Sequence, residues 1–563
     1  MWSYAAPLAH MRFVIDEVLQ APAQWRDCGQ ELDADTAAQV LEEAARFAAG
    51  VLAPLNGPAD LQGCRWVAGT ADGHAEVTTP DGYADAYRAF VEGGWPALAC
   101  EPDWGGQGLP KLLNAALYEM LWAANHGWTM YPGLSHGAYE CVLAYGSDEL
   151  KQRYLPQLAS GRWLATMAIT EPQAGSDLAQ VRTKAVAQPD GRLRVSGSKI
   201  FISGGEHDLS DNIVHLVLCR LPDAPAGTRG LSLALCPKWL PDGTRNAIRC
   251  DGIEKKMGIK GSATCALVFD GATGWLVGQP HRGLAAMFVM MNAARLNVGL
   301  QGLGHLDTAQ RNALAYACER VQSRAPGQER AGPIALHPSA RQTLWRLRAI
   351  SEGARVVAYW AAQQLDLAEQ HSDEAARRDA HLLAGVLTPV VKACCTAWGF
   401  EGAAQAQQLW GGYGYVHEYG IEQTVRDARI AMVYEGTNEI QALDLLQRKL
   451  LANDGGWALL HDEIAAEAAR CEAAGGAAAD FAAPLRAQLA LAARTLKILG
   501  DTRDAAPERI AIAADDVLQG CGLLLLGWAW ARSTRAAQQR ADDPGCAQTI
   551  SAARFGLQWL LPQ

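Results

Sequence analysis

The sequence predicts a mainly helical protein with a small β-domain inserted between two helical regions. Short apolar runs bounded by Gly, Pro or Asp are confined to about residues 162–278, whereas long helical periodicities resume at Gly283 and persist. Size points the same way: 563 residues exceed the roughly 250–300 that one hydrophobic core holds, so the chain divides into domains. These signals give an N-terminal segment 1–34, an N-terminal helical domain 35–160, a middle β-sandwich or barrel 161–280, a C-terminal helical bundle 281–451 and a helical extension 452–563.

Taken in order, Thr36 to Val51 carries an Ala-rich helical pattern and Leu112 to Ala124 a second one. Between them lies the Gly-rich stretch Glu101–Gly108, which lacks the Gly-Lys-Ser/Thr ending of a phosphate-cradling loop and reads as a tight connection. Asp148 to Tyr154 opens a short helix that ends near Leu158. Arg192 to Ile202 partly alternates, and Ile213 to Arg220, Leu231 to Cys236 and Ala266 to Phe269 are apolar runs of strand length. Pro-Asp-Gly at 189–191 and 241–243 and Pro-Ala-Gly at 225–227 supply turns. Leu284 to Val321 sustains a long helix despite several Gly residues, and Pro338 to His371 and Glu374 to Trp410 read as its antiparallel partners. A boundary follows at Asn453–Gly456, and the extension beyond it breaks at Gly475-Gly476.

Composition narrows the function. With 49% hydrophobic and 19% charged residues the chain is globular, and a net charge of -11 argues against a general affinity for nucleic acid or anionic membrane. Residues 1–22 contain Asp16 and Glu17 and no apolar core of signal-peptide length, and the apolar run Cys521 to Ala531 is too short to cross a bilayer. The 14 cysteines form no Cys-x-x-Cys or Cys/His cluster, which predicts free thiols in a reducing cytoplasm and no metal site. His136, His305 and His417 lack ligand spacing, and Tyr413 and Tyr415 fit core and pocket lining equally well.

Chemistry is concentrated in a few stretches. Met167–Asp177 puts Thr170, Gly175 and Ser176 on a loop leaving a strand, able to offer short donors and backbone N–H groups to a planar polar ring or a phosphate. Lys199–Gly205 is a strand ending in Ser-Gly-Gly, and Asn292-Ala-Ala-Arg295 lies on the long helix. Gln408–Tyr415 precedes Arg426–Arg429 and then Val433–Ile440, where Glu435 sits on a Gly-containing turn between two helices. Thr437 fits the N-cap of the second helix and Glu439 its first turn, while Ile440, Leu443, Leu446 and Leu450 form its apolar stripe.

The order Thr-Glu-Pro-x-Ala-Gly-Ser-Asp, β-domain, helical bundle, Gly-Gly-x-Gly-Tyr and Tyr-Glu-Gly-Thr resembles the acyl-CoA dehydrogenase family over about residues 35–450. The length, Ser203-Gly-Gly-Glu-His207 and Ile440–Leu445 resemble its long subgroup that contains the 3-methylmercaptopropionyl-CoA dehydrogenases. The resemblance implies FAD as cofactor, α,β-dehydrogenation of an acyl-CoA to the trans-2-enoyl-CoA, and Glu435 as the base that takes the α-proton while hydride passes to flavin N5. Some family members carry the base on the long helix, at the position of Ala294 here. By the same resemblance Ile169, Thr170, Gly175, Phe201 and Ser203 surround the flavin, and Ser176, Asn292, Arg295 and Gly436 meet the substrate. Arg320, Gln408 and Gly412 match residues that reach the FAD of a neighbouring subunit, which implies a homodimer or homotetramer, and Thr437 and Glu439 match contacts to the FAD diphosphate and adenosine side. Phe201 replaces a common Trp, and Val321–Arg324 departs from the usual pattern after Arg320.

An electron-transferring flavoprotein is the implied acceptor. Two rivals share the fold: a flavoprotein with a DNA-associated stress role, and an acyl-CoA or nitroalkane oxidase that passes electrons to oxygen.

Overall fold

The computed structural model describes residues 1–69, 75–452, 454–540 and 542–562. They divide into two compact units: Met1–Ala49 with Pro110–Ala124 and Arg295–Gln563, and Gly50–Leu109 with Asn125–Ala294.

The first unit is helical. Its principal helices are α1 (Ala34–Phe47), α2 (Lys111–Ala124), α3 (Gly283–Glu319), α4 (Pro338–Gln370), α5 (Glu374–Trp410), α6 (Ile421–Arg429), α7 (Asn438–Leu443), α8 (Gly456–Ala474), α9 (Ala482–Thr502), α10 (Pro507–Ala537) and α11 (Pro544–Trp559). The first turns of α3, through Ala294, belong to the other unit. Asp33 caps α1, accepting from the Thr36 N–H at 2.7 Å. The three long helices fall within a residue or two of the periodicities that predict them.

The glycines of α3 prove to be packing residues. A Cβ at Gly302 would lie 2.3 Å from the Cys395 carbonyl oxygen, and one at Gly399 would lie 2.4 Å from that of Gly302. The backbones of α3 and α5 therefore touch there, which offsets the roughly 1 kcal/mol that each helical Gly costs.

The extension belongs to this unit. Trp528 stacks on Trp360 with ring centroids 4.3 Å apart, and the Trp530 indole donates to the Ala349 carbonyl at 2.8 Å. At the other end of the chain, the segment before residue 34 also folds: Met11, Val14 and Ile15 are fully buried, and Arg532 donates to the Val18 carbonyl at 2.7 Å. Asn453, the first residue of the predicted boundary, lies outside the described residues. The apolar run at 521–531 is the middle of the 31-residue α10. By length and composition alone three helices among the described residues could cross a membrane, Gly283–Glu319, Glu374–Tyr415 and Pro507–Arg540; their apolar windows are 56%, 78% and 50% buried inside the fold.

A buried ion network ties α2, α3 and α4 together. Arg355 donates to Glu119 at 2.7 Å and to Asp307 at 2.7 Å, and the Tyr359 hydroxyl donates to the other Glu119 oxygen at 2.7 Å.

The second unit contains a short hairpin, β1 (Arg65–Val67) with β2 (Glu76–Thr78), in a region the sequence reads as mostly helical. Its sheet holds β3 (Trp163–Ala168), β4 (Lys184–Ala187), β5 (Leu193–Ser203), β6 (Asn212–Arg220), β7 (Leu231–Pro237), β8 (Ile248–Ile253) and β9 (Thr264–Val277). The path runs β6-β4-β5-β9-β7, and pairing of β6 with β7 closes it into a barrel. Strand β3 joins parallel to β6, and β8 joins β9. The alternation in β5 marks a strand with one solvated face; β6 is buried on both faces through Cys219, which explains its continuous apolar run. Leu216, Leu233, Leu235 and Val277 pack with Tyr154, Met287 and Met290 into the core. At the predicted tight connection, a Cβ on Gly106 would lie 1.9 Å from the Cys100 carbonyl oxygen.

Replacing Arg355 by Leu strands two buried carboxylates, and the expected loss is about 3–5 kcal/mol, read as a lowered urea midpoint. The Glu119→Gln/Arg355→Met double variant is expected to recover most of it.

Candidate active site

The turn carrying Glu435 is built by the chain on both sides of it. Helix α6 tightens into a 3-10 turn at Ile430–Met432, and α7 starts at Asn438 with Thr437 as its cap, the threonine oxygen accepting from the Ile440 N–H at 3.4 Å. Between them Glu435 and Gly436 adopt φ of +58° and +79°, so two successive left-handed residues reverse the chain. For glycine that conformation is free, whereas for glutamate it costs on the order of 1–3 kcal/mol and persists only where surroundings enforce it.

The surroundings here are specific. Lys392 on α5 donates to the Gly436 carbonyl at 2.7 Å, to Asn438 Oδ1 at 2.9 Å and to the Met432 carbonyl at 3.4 Å. Gln441 donates to the Glu435 carbonyl at 3.1 Å, and the Tyr434 hydroxyl donates to Gln301 Oε1 at 2.6 Å. None of these partners follows from the motif itself. The one visible signal was a lysine inside the apolar run Leu387–Cys395, a place where lysine is rarely found unless paired.

Electrostatics make the Glu435 carboxyl an unusual acid. Burial raises it to about 7, while the charges of Arg295 and Lys392 work in the opposite direction. Arg295 is buried, ion-paired to Asp444 at 3.3 Å, and its Nε has no acceptor among the described residues. Thus Glu435, Gly436, Thr437 and Arg295 assemble in one unit. Glu439 is exposed in the first turn of α7, where Thr437 lowers its carboxyl. Leu443 ends the regular helix, and Asp444–Leu450 widens into a π-helix that buries Leu445, Leu446 and Leu450, so the buried stripe shifts from the simple helical spacing.

In the same unit Arg320, Gln408 and Gly412 mark a second group. The Arg320 guanidinium lies 5.4 Å from the Tyr413 ring centroid, Gln408 is exposed, and a side chain at Gly412 would meet nothing within 4 Å. Tyr415 is 84% exposed, which removes the reading of it as core.

The other unit holds the remaining predicted residues. Ile169 and Thr170 leave β3, the Ile169 carbonyl accepting from Lys199 Nζ at 2.9 Å and that of Thr170 from the Ile200 N–H at 2.9 Å. Lys199 is fully buried and ion-pairs with Glu171 at 2.8 Å, and Glu171 also accepts from the Arg182 and Thr183 N–H groups at 2.7 and 3.0 Å. Burial works to raise the Glu171 carboxyl, but Lys199 and these donors outweigh it and bring it down to about 2. The root of the 169–177 loop is therefore fixed, whereas Gly175 and Ser176 at its tip are exposed. Phe201 sits at a register shift of β5 with φ of +59° and its ring 57% exposed. A non-glycine residue at positive φ with an exposed aromatic side chain keeps Phe201 among the candidate site residues. Ser203 closes β5 opposite Thr264, and Asn292 is exposed on α3.

Gly436→Ala would place a Cβ 2.8 Å from Gln441 Nε2 at a φ of +79°. The expected outcome is a destabilised, displaced turn, with a loss of about 1–2 kcal/mol in stability and a larger fall in turnover, measured by urea unfolding and steady-state kinetics.

Family models match along the chain: "Acyl-CoA dehydrogenase, N-terminal domain" at residues 34–162, "middle domain" at 166–272, "C-terminal domain" at 281–450, and "Acetyl-CoA dehydrogenase C-terminal like" at 460–563. The 3-methylmercaptopropionyl-CoA dehydrogenase of Ruegeria pomeroyi is 41% identical over 98% of this chain and 94% of its own length. The broad-specificity linear acyl-CoA dehydrogenase FadE5 of Mycobacterium tuberculosis is 37% identical over 77% of this chain and 72% of its own. In fold, the crystal structure of Caenorhabditis elegans ACDH-11 in complex with C11-CoA superposes with a TM-score of 0.84 at 19% identity, covering 100% of this chain and 92% of that one. An acyl-CoA dehydrogenase complexed with FAD from Bacillus anthracis gives 0.76 at 20% identity, over 94% and 87% of the two chains. With its N-terminal, middle and C-terminal domains matched in order and a relative at 41% identity over nearly its whole length, the chain belongs to the acyl-CoA dehydrogenase family, oxidoreductases acting on the CH–CH bond of acyl-CoA thioesters.

Proposed function

We propose that Glu435 is the base that removes the α-proton of the acyl-CoA thioester in this chain's FAD-dependent α,β-dehydrogenation. The observation that carries the reading is a carboxylate held on a strained turn and raised to about 7 by burial. A carboxylate of ordinary pKa, about 4.3, is a weak base for a carbon acid, and one near neutrality is matched to its operating pH. Arg295 and Lys392 limit the rise, so the group remains ionised above neutral pH. The Glu435 backbone N–H supplies one donor to the thioester oxygen, which acidifies the α-carbon as enolate charge develops.

The residues of this chain fit the cofactor. Phe201 offers an exposed ring on a strained backbone, Thr170 and Ser203 offer hydroxyls beside it in sequence and sheet, and Gly412 leaves open space for a group to approach. Ile169, Thr170, Gly175, Phe201 and Ser203 are proposed to hold FAD, with Thr437 and Glu439 toward its diphosphate and adenosine side. Bound FAD supplies the acceptor for the β-hydride. Ser176, Asn292, Arg295 and Gly436 are proposed to hold the acyl-CoA, the first two from exposed positions and Arg295 as a buried charge on α3 that acts on the base. Arg320 beside the exposed ring of Tyr413, with the exposed Gln408 and Gly412, supports a homodimer or homotetramer in which these residues reach a neighbouring subunit's cofactor.

An electron-transferring flavoprotein is the proposed acceptor; its reduction on turnover, without peroxide formation in air, separates this reading from an oxidase. The relative that matches nearly the whole chain is named for 3-methylmercaptopropionyl-CoA, so that thioester heads the panel of acyl groups to be tried by flavin bleaching.

Glu435→Gln is expected to retain FAD and lose nearly all α,β-dehydrogenation; normal flavin bleaching by substrate in this variant would exclude the assignment. For the wild type, kcat/KM is expected to fall as pH drops through about 7, since protonated Glu435 cannot accept the α-proton. A pH–rate profile flat from pH 6 to 8, roughly one unit either side of that value, would contradict it.

A further inference from the structure

Lys392 is a buried charge whose hydrogen bonds the proposed chemistry leaves without a role. It lies in the interior of α5 at 0% exposure, in a run of apolar residues. An ammonium has three protons to place, and each has a taker: the Gly436 carbonyl at 2.7 Å, Asn438 Oδ1 at 2.9 Å and the Met432 carbonyl at 3.4 Å. These acceptors bracket Glu435 on both sides. Asn438 is oriented for the purpose, because its amide nitrogen is spent on the Ala393 carbonyl at 3.1 Å, leaving the oxygen toward the lysine.

We infer that Lys392 is the positioning residue of the base, tying both flanks of the Glu435 turn to α5 and setting, by its charge, the proton affinity of the carboxylate. The inference rests on the reading of Glu435 as the base. All three donors are used on the turn's flanks, so the lysine acts on the carboxylate through space and through backbone geometry, leaving the carboxylate free to meet substrate. The left-handed backbone at Glu435 needs an external restraint, and a three-point anchor supplies one.

The charged groups facing Lys392 are Glu435 on the turn, Glu439 in α7 and Arg295 on α3, the last held by Asp444. Burial pulls Lys392 down to about 7, Glu435 acting against the fall and Arg295 with it. Three oxygen acceptors select the charged form, because a neutral amine has a proton too few. Lys392 and Glu435 therefore titrate as a pair, and the cation favours the carboxylate.

The test uses the full-length FAD-loaded enzyme, with Lys392→Met and Lys392→Gln assayed by flavin reduction with an acyl-CoA across pH. Both variants are expected to move the acid limb of kcat/KM upward by about one pH unit, because the neighbouring cation is gone. Lys392→Met is expected to lose about 10-fold or more in kcat with little change in KM, while Lys392→Gln, which keeps two donors, regains part of that kcat but not the pH shift. A merely structural lysine would not move the limb. An unshifted limb in either variant overturns the inference, and Lys392→Gln carries the test if Lys392→Met fails to fold. Glu435→Gln in the same assay keeps the two readings apart: its retention of activity would defeat the base assignment, whereas an inactive Glu435→Gln beside an unshifted Lys392→Gln would defeat only the role of Lys392.

Discussion

A glutamate held at positive φ is the constraint on which the geometry of the candidate site in the helical unit depends. Left to itself, residue 435 would relax to the right-handed or extended region, and the carboxylate would leave the place that burial and two cations define for it. What prevents this is a set of hydrogen bonds to backbone carbonyls, from Lys392 on α5 and Gln441 on α7, that hold the turn from outside rather than through the glutamate side chain. The side chain is thereby kept available. Strain of on the order of 1–3 kcal/mol is offset by these bonds.

The scaffold explains why α5 can present a lysine there. Gly302 and Gly399 bring α3 and α5 into backbone contact, which fixes the two helices that carry Arg295 and Lys392. Arg355, Glu119, Asp307 and Tyr359 add a buried network across α2, α3 and α4, and α10 rests on α4 through stacked Trp360 and Trp528. In this network the buried guanidinium of Arg355 is met by two carboxylates, which offsets the cost of burying a charge alone. In the barrel unit the same device recurs on a smaller scale, with Lys199 and Glu171 fixing the loop root beside Thr170 while Phe201 is left exposed at a bulge.

The sequence determined much of the outline. Helical periodicity located α3, α4 and α5, and the change of period located the barrel strands, because a 3.6-residue or two-residue repeat is a local property of the chain. Gly436 after Glu435, between a charged helix and a capped one, already announced a turn with a carboxylate on it. The strands β4 and β8 were not legible, being short and bordered by polar residues, and the hairpin β1–β2 has too few residues to show an alternation. The burial of residues 8–27 was not legible because it depends on helices hundreds of residues away, as in the bond from Arg532 to Val18.

What only the tertiary structure decided is who holds Glu435 and how basic it is. Lys392 is 43 positions from the glutamate and Arg295 is 140 positions away, separations that carry no local signal. A pKa is set by burial and by the charges that packing brings close, neither of which is written at the titrating residue. The motif therefore brought the candidate base into view, while the packing of α3, α5 and α7 around one strained turn decided its conformation and its affinity for a proton.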